Sequence, residues 1–222
     1  MAGMHESADP LSLMLGRSDD LHGAMLDLLD EAEFDPSPRG QAAVGMCSVS
    51  IEHWVGLRHL FAAGCPTSAV SLVRLQFEAL VRAKWICWAA SELSVEKLTA
   101  KLTSESEQAA KNLPTVNAMI EEIGKVAGTT APLAAHQMIV HFRDVQLKSL
   151  NSFVHGGIHP LQRHLEGYSL PLILQVVGTA NGVATMTGMT LALLSGDEVV
   201  AKSMSRIQRD FRDCLPPLIA QG

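Results

Sequence analysis

Apolar residues recur every three to four positions along most of the chain, a spacing that predicts helices. Alternating strand patterns joined by Asn-Gly or Asp-Gly turns are absent, and Pro- or Gly-containing clusters such as 35–38 and 64–67 separate the helical stretches. The predicted helices cover residues 19–34, 40–63, 68–90, 95–112, 114–128, 132–154, 167–196 and 197–215. We predict an all-α, single-domain bundle of about seven or eight helices over residues 1–222, with 1–18 as a mobile N-terminal segment.

Two of these stretches are too apolar for ordinary surface helices. The helix over 68–90 is apolar almost all round, which predicts a place in the middle of the bundle. Residues 167–196 contain no charged side chain and no histidine, and this length could cross a bilayer. However, Pro171, Gln175 and Asn181 interrupt the segment, and no basic cluster flanks it. We therefore predict a central buried helix and no membrane partner.

Amino-acid composition and net charge limit the classes of partner that we predict for this chain. Hydrophobic residues make up 47% of the chain and charged residues 18%, which excludes disorder. The net charge of −6 argues against a broad nucleic-acid-binding surface, so DNA binding is not predicted and any anion site must be local. The low charge content, together with Gly178, Gly182 and Gly188 in the uncharged helix, favours a homodimer; the same glycines could instead admit a neighbouring helix of one chain.

The cysteines and the first residues bear on the compartment. Four cysteines lie far apart without a CxxC pair, so neither a disulfide framework nor a cysteine zinc site is predicted. The first ten residues lack the basic and apolar regions of a signal peptide. Free thiols in a reducing cytoplasm are the expectation.

The sequence contains no recognisable metal-binding or cofactor-binding motif. His155, His159 and His164 do not share a helical register, because Gly156 and Pro160 interrupt it. The uncharged segment's glycines follow no strand and precede no Gly-Lys-Ser/Thr sequence. We predict no metal site and no cofactor.

The sharpest chemical feature is the row Arg74, Glu78 and Arg82. Four-residue spacing places all three on one helix face, where Glu78 could pair with both arginines. Since the helix is apolar, the row is expected to point into the interior or into a cleft. One positive charge is left over, and Glu52, Asp144 or an anionic ligand could balance it. The row is therefore either a structural ion network or an anion-binding or catalytic site.

A second polar group, the candidate catalytic residues Lys148, Asn151 and His155, lies along the end of the helix over 132–154. His155 could act as an acid or a base near neutral pH, and Lys148 could hold a phosphate. The alternative is that His155 merely caps the helix, with Gly156 as a left-handed stop.

The two motifs together resemble a family of uncharacterised bacterial helical proteins. Its pattern is an S-A-x-x-L-x-R-x-x-x-E-x-x-x-R-x-x-W helix and a later N-x-x-x-H-G-G helix end, found here within residues 40–165. More distantly, the helix ending in a histidine is similar to HEPN domains, whose ribonuclease members use an arginine and a histidine separated by four to six intervening residues. That resemblance implies catalytic roles for Lys148 and His155, although lysine cannot make arginine's bidentate phosphate contact.

Two functional hypotheses follow. The first is a HEPN-like, metal-independent ribonuclease of a toxin or defence type, in which His155 is the general base. Lys148, with Arg74 or Arg82, would stabilise the charge on the phosphorane, and RNA would be the partner. The second is a non-catalytic helical module that dimerises, or binds an anion or a partner, with the Arg-Glu-Arg row as a structural network.

Overall fold

The computed structural model describes residues 9–217, and these residues are helical with no β-strand. The helices are α1 (Pro10–Leu29), α2 (Pro38–Ala62), α3 (Pro66–Trp88), α4 (Glu92–Thr99), α5 (Ser104–Ala110), α6 (Val116–Lys125), α7 (Leu133–Phe142), α8 (Lys148–Val154), α9 (Ile158–Glu166), α10 (Leu170–Leu194) and α11 (Glu198–Asp210). A π-helical turn (Arg143–Leu147) joins α7 to α8 in one continuous helix. The all-α prediction is confirmed.

The described residues thus form ten helices when α7 and α8 are counted together, rather than seven or eight. Two differences account for the higher number. The polar stretch over 95–112 forms two helices, because α5 starts anew at Thr103, whose side chain accepts a hydrogen bond from the Ser106 amide. The segment after the Gly156-Gly157 break forms α9, a helix that the spacing analysis left unassigned.

The predicted start of the first helix at Asp19 or Asp20 is wrong. Helix α1 begins at Pro10, and the Asp9 side chain accepts a hydrogen bond from the Ser12 amide. An Asp cap followed by Pro at the first position is a strong start signal. Residues 10–18, predicted as a mobile segment, are therefore helical, while residues 1–8 lie outside the described part of the chain.

Helices α2 and α3 form the central hairpin of the core. Gly64, in the left-handed conformation with φ of 71°, makes the turn between them. On the other side, α3 packs against α6 and α8, as well as α10. The prediction that this apolar helix lies in the middle of the bundle is confirmed, and its position leaves the polar row on α3 between α6 and α8.

Helix α10 is the second central element, contacting α1, α2, α3 and α11. It is long and apolar enough to span a bilayer by length and composition, yet half of its most apolar stretch is buried inside the protein. Its glycines are used within the chain: a Cβ on Gly188 would lie 2.7 Å from Met25 Cε, and one on Gly182 would lie 2.9 Å from Pro216. The small residues therefore admit neighbouring helices of the same chain.

Candidate functional site

The Arg-Glu-Arg row of α3 lines a surface cleft of about 340 Å³ between α3, α6 and α8. The remaining lining residues are Thr115, Val116, Asn117, Leu147 and Asn151. The row is therefore sheltered, as its apolar helix indicated, but it faces a cleft instead of being enclosed in the core.

Two contacts between helices position the walls of the cleft. The rings of Phe77 and Phe142 stack with centroids 4.1 Å apart, which ties α3 to the end of α7 just before the π-helical turn. The indole Nε1 of Trp85 donates a hydrogen bond of 2.6 Å to Glu122 Oε2 and so attaches α6 to α3. Both contacts join side chains far apart in the sequence, and together they hold α6 and α8 on either side of the row.

Arg74 is the most strongly held member of the row, with only 13% of its side chain exposed. Its Nε donates a 2.7 Å hydrogen bond to Asn151 Oδ1, and its Nη2 lies 2.5 Å from Glu78 Oε1. Its Nη1 is buried and has no hydrogen-bond partner. One carboxylate and one amide thus fix the guanidinium without using all of its donors.

Arg82 is the uncompensated member of the row. Within residues 9–217 its guanidinium forms neither a salt bridge nor a side-chain hydrogen bond, and Glu78 pairs with Arg74 alone. The two acids proposed to balance the surplus charge do not do so: Glu52 is exposed and forms no ion pair in the same range, and Asp144 pairs with Arg143 at 2.7 Å. Those two assignments are wrong because both acids are exposed to solvent and neither lines the cleft.

The N-terminus of α6 forms the opposite wall. Thr115 caps this helix by accepting a hydrogen bond from the Ala118 amide, and Val116 and Asn117 occupy its first turn. The first amides of a helix have no partner inside the helix and carry a partial positive charge. Sequence analysis missed Thr115 and Asn117 as site residues, although a Thr after Pro114 is a recognisable helix start.

The structure brings only part of the second predicted group to the cleft. Asn151 contacts Arg74, whereas Lys148 and His155 are exposed and do not line the cleft. His155 ends α8: its backbone amide donates to the Asn151 carbonyl, and Gly156 follows with φ of 63°. The prediction of a left-handed stop at Gly156 is confirmed.

The imidazole of His155 makes no hydrogen bond to any residue in 9–217, and the same range contains no group of three His, Cys, Asp or Glu side chains arranged to hold a metal ion. The His159 ring stacks against Phe153 with centroids 6.3 Å apart, and its amide donates to Ser152 Oγ. All three histidines after Val154, namely His155, His159 and His164, are exposed.

A family model described as a family of unknown function, DUF6988, matches residues 47–217. The chain belongs to the DUF6988 family. The match includes all the elements that line the cleft and extends beyond the stretch over 40–165 on which the sequence resemblance rests. No curated protein and no solved structure matches the chain. The similarity to HEPN domains stays a prediction.

Proposed function

We propose that this DUF6988 protein is an anion-binding module, and that the cleft between α3, α6 and α8 binds an oxyanion group of its ligand. The observation that carries the proposal is the uncompensated charge of Arg82. Counting formal charges, the cleft holds Arg74 and Arg82 against Glu78, which leaves one positive charge. A partly buried guanidinium that faces a cleft and has no counter-charge among the described residues suits a site completed by an anion.

The neutral groups around the arginines support the same conclusion. The amides of Val116 and Asn117 belong to the first turn of α6, where a helix favours negative charge. The side-chain amides of Asn117 and Asn151 add polar groups without adding charge. Cations and amide donors therefore come from separate helices and surround one open space, an arrangement that can contact a tetrahedral or planar oxyanion from several sides.

The direct test is a titration with inorganic phosphate at about pH 6, where most of it carries a single negative charge, followed by NMR chemical shifts or calorimetry. Arg82→Ala is expected to weaken binding by at least about tenfold, since a charge-assisted guanidinium contact is lost. The matched control is Arg206→Ala, which removes the same charge from exposed Arg206 on α11 and should leave binding unchanged. Equal effects of the two variants, or no binding by the unaltered protein, would refute the proposal.

RNA cleavage without a metal ion is the second candidate, favoured by the hydrogen bond between Arg74 and Asn151. This bond ties the last turn of α8 to the cleft, and His155 follows Asn151 by one turn. In this hypothesis a phosphodiester bound at the arginines presents its ribose 2′-hydroxyl to His155, which takes the proton as general base while the 2′-oxygen attacks phosphorus. The bond from phosphorus to the 5′-oxygen breaks, and that oxygen takes a proton from water. The arginines, with Lys148, stabilise the charge that develops on phosphorus.

The ribonuclease hypothesis is tested with fluorescent RNA oligonucleotides in the presence of EDTA. The unaltered protein should cleave RNA, and His155→Ala should abolish cleavage while leaving the melting temperature unchanged. His164→Ala, which changes another exposed histidine, is the control and should remain active. If phosphate binds but no RNA is cut, the anion-binding module remains and the ribonuclease is excluded.

A homodimer and a cytoplasmic location stay predictions. The glycines of α10 are covered within the chain, so a dimer would have to use another surface. Helix α9 offers one, because Ile158, Leu161 and Leu165 share a face and are largely exposed. Light scattering of the unaltered protein and of Leu161→Glu tests this: a dimer through α9 should become a monomer in the variant.

A further inference from the structure

We propose that Glu78 makes the cleft selective for singly charged oxyanions, such as a phosphodiester or a carboxylate, over doubly charged ones, such as a phosphate monoester. This inference rests on the proposed anion site and adds the class of ligand that it accepts. Glu78 is the specificity-determining residue in this account, because it is the single acidic side chain among the described residues lining the cleft.

The position of Glu78 is unusual for a residue in an anion site. It lies on α3 one turn from each arginine, it lines the cleft, and one-third of its side chain is exposed. A carboxylate used only to orient Arg74 could lie behind the guanidinium, away from the open space. Here Glu78 helps to hold Arg74, together with Asn151, and at the same time places a negative charge at the open space of the cleft.

The charge balance explains the expected selectivity. Pairing with Glu78 cancels one guanidinium and leaves the charge of Arg82 for a ligand. A singly charged oxyanion neutralises that remaining charge. A doubly charged oxyanion would leave one negative charge close to the Glu78 carboxylate, and like charges a few ångströms apart in a partly sheltered site repel each other.

The neutral lining residues do not alter this balance. Thr115, Asn117 and Asn151 line the cleft with hydroxyl or amide groups, and none of them carries charge. The partial positive charge at the N-terminus of α6 favours any anion. Removal of the Glu78 charge is therefore the change that should alter the preference between singly and doubly charged ligands.

The experiment compares dimethyl phosphate, acetate and methyl phosphate as ligands at pH 8, where the monoester is doubly charged because its second pKa is near 6. The unaltered protein should bind dimethyl phosphate about fivefold or more tightly than methyl phosphate. Glu78→Gln should tighten methyl phosphate about tenfold and reverse the order. Glu78→Asp, which restores the charge, should restore the original preference.

Each outcome separates the two proposals. If no probe binds, the proposed anion site itself is wrong. If the probes bind but without preference, or if Glu78→Gln leaves the order unchanged, the role of Glu78 is wrong and the anion site stands. If the expected preference is found, the affinities for acetate and dimethyl phosphate show which singly charged group the site prefers. Melting temperatures confirm that Glu78→Gln remains folded.

Discussion

Two sheltered arginine sites in this molecule differ in how their charge is balanced. Arg58 on α2 is 6% exposed, its Nη1 pairs with Asp19 at 2.5 Å, and its guanidinium lies 4.3 Å from the centre of the Trp54 ring. Its Nη2 contacts His22 Nδ1 at 3.1 Å. One cation meets one carboxylate, so the site is electrically complete and ties α1 to α2.

The row on α3 lacks this balance, because Arg82 has no acid of its own among the described residues. Both sites contain one buried guanidinium nitrogen without a hydrogen-bond partner, Arg58 Nε and Arg74 Nη1. An unpartnered donor therefore does not separate a structural site from a binding site. What distinguishes the α3 row is that it has a net positive charge and faces a cleft, whereas the Arg58 site has no net charge and does not line the cleft.

The largest expected effect follows from this comparison. Arg58→Ala should lower the free energy of unfolding by about 2–4 kcal/mol, because it removes the packing of a buried guanidinium over Trp54 and its ion pair with the exposed Asp19. Arg82→Ala should change it by less than about 0.5 kcal/mol, since within residues 9–217 that side chain makes no hydrogen bond or ion pair that would be lost. Urea unfolding measures both.

A comparable loss of stability in Arg82→Ala would contradict this distinction and show that the α3 row is a structural network. As a further control, phosphate binding by the folded Arg58→Ala protein should be unchanged, because Arg58 does not line the cleft.

A third sheltered cation, Lys84, shows the difference between an uncompensated charge in the core and one that faces the cleft. Lys84 is 3% exposed, has no carboxylate partner within residues 9–217, and lies 5.1 Å from the Trp88 ring. Burial lowers its pKa from 10.5 to about 8, against the opposing influence of the nearby Cys47 and Cys87. Like Arg82, Lys84 has an uncompensated charge, but the Lys84 side chain does not line the cleft.

Lys84→Met should therefore stabilise the protein by about 2–3 kcal/mol at pH 7, because the cost of burying an ammonium group is removed. The sign follows from the lowered pKa: the folded state releases the Lys84 proton first, so the unaltered protein gains stability as the pH rises from about 8 to 10.5. Thermal unfolding of both proteins between pH 7 and 10 should show that the difference between their melting temperatures becomes smaller as the pH rises. A less stable Met variant would show that the lysine has an undetected partner.

The smallest effect concerns His22 beside Arg58. Burial, assisted by Arg58 and opposed by Asp19, lowers the pKa of His22 below its usual 6.5. As the pH falls through 6.5, the unfolded chain therefore takes up this proton first, and stability is lost. The contribution is no more than about 1 kcal/mol, because His22 is only partly buried.

His22→Gln should accordingly reduce the loss of melting temperature between pH 7.5 and 5.5, and His164→Gln, at an exposed site, should not. An unchanged pH dependence in His22→Gln would show that the interface between α1 and α2 does not titrate in this range.

Particular residues show which features could be predicted from the sequence. The spacing of Arg74, Glu78 and Arg82 on an apolar helix predicted a sheltered row, and the row faces a cleft. The contact of Arg74 with Asn151 joins residues 77 positions apart, and no local pattern specifies it. Glu52 was a reasonable partner by charge, but only the packing of α2 shows that it points to solvent.

The sequence by itself determined the helical class, the central place of α3 and the common face of the Arg-Glu-Arg row, because hydrophobic periodicity and four-residue spacing are local properties of a helix. Only the tertiary structure decided which charges are balanced, which helix start faces the row, and that His155 lies outside the cleft. These features depend on how α6 and α8 pack against α3, and such packing is the sum of many contacts between side chains distant in the chain.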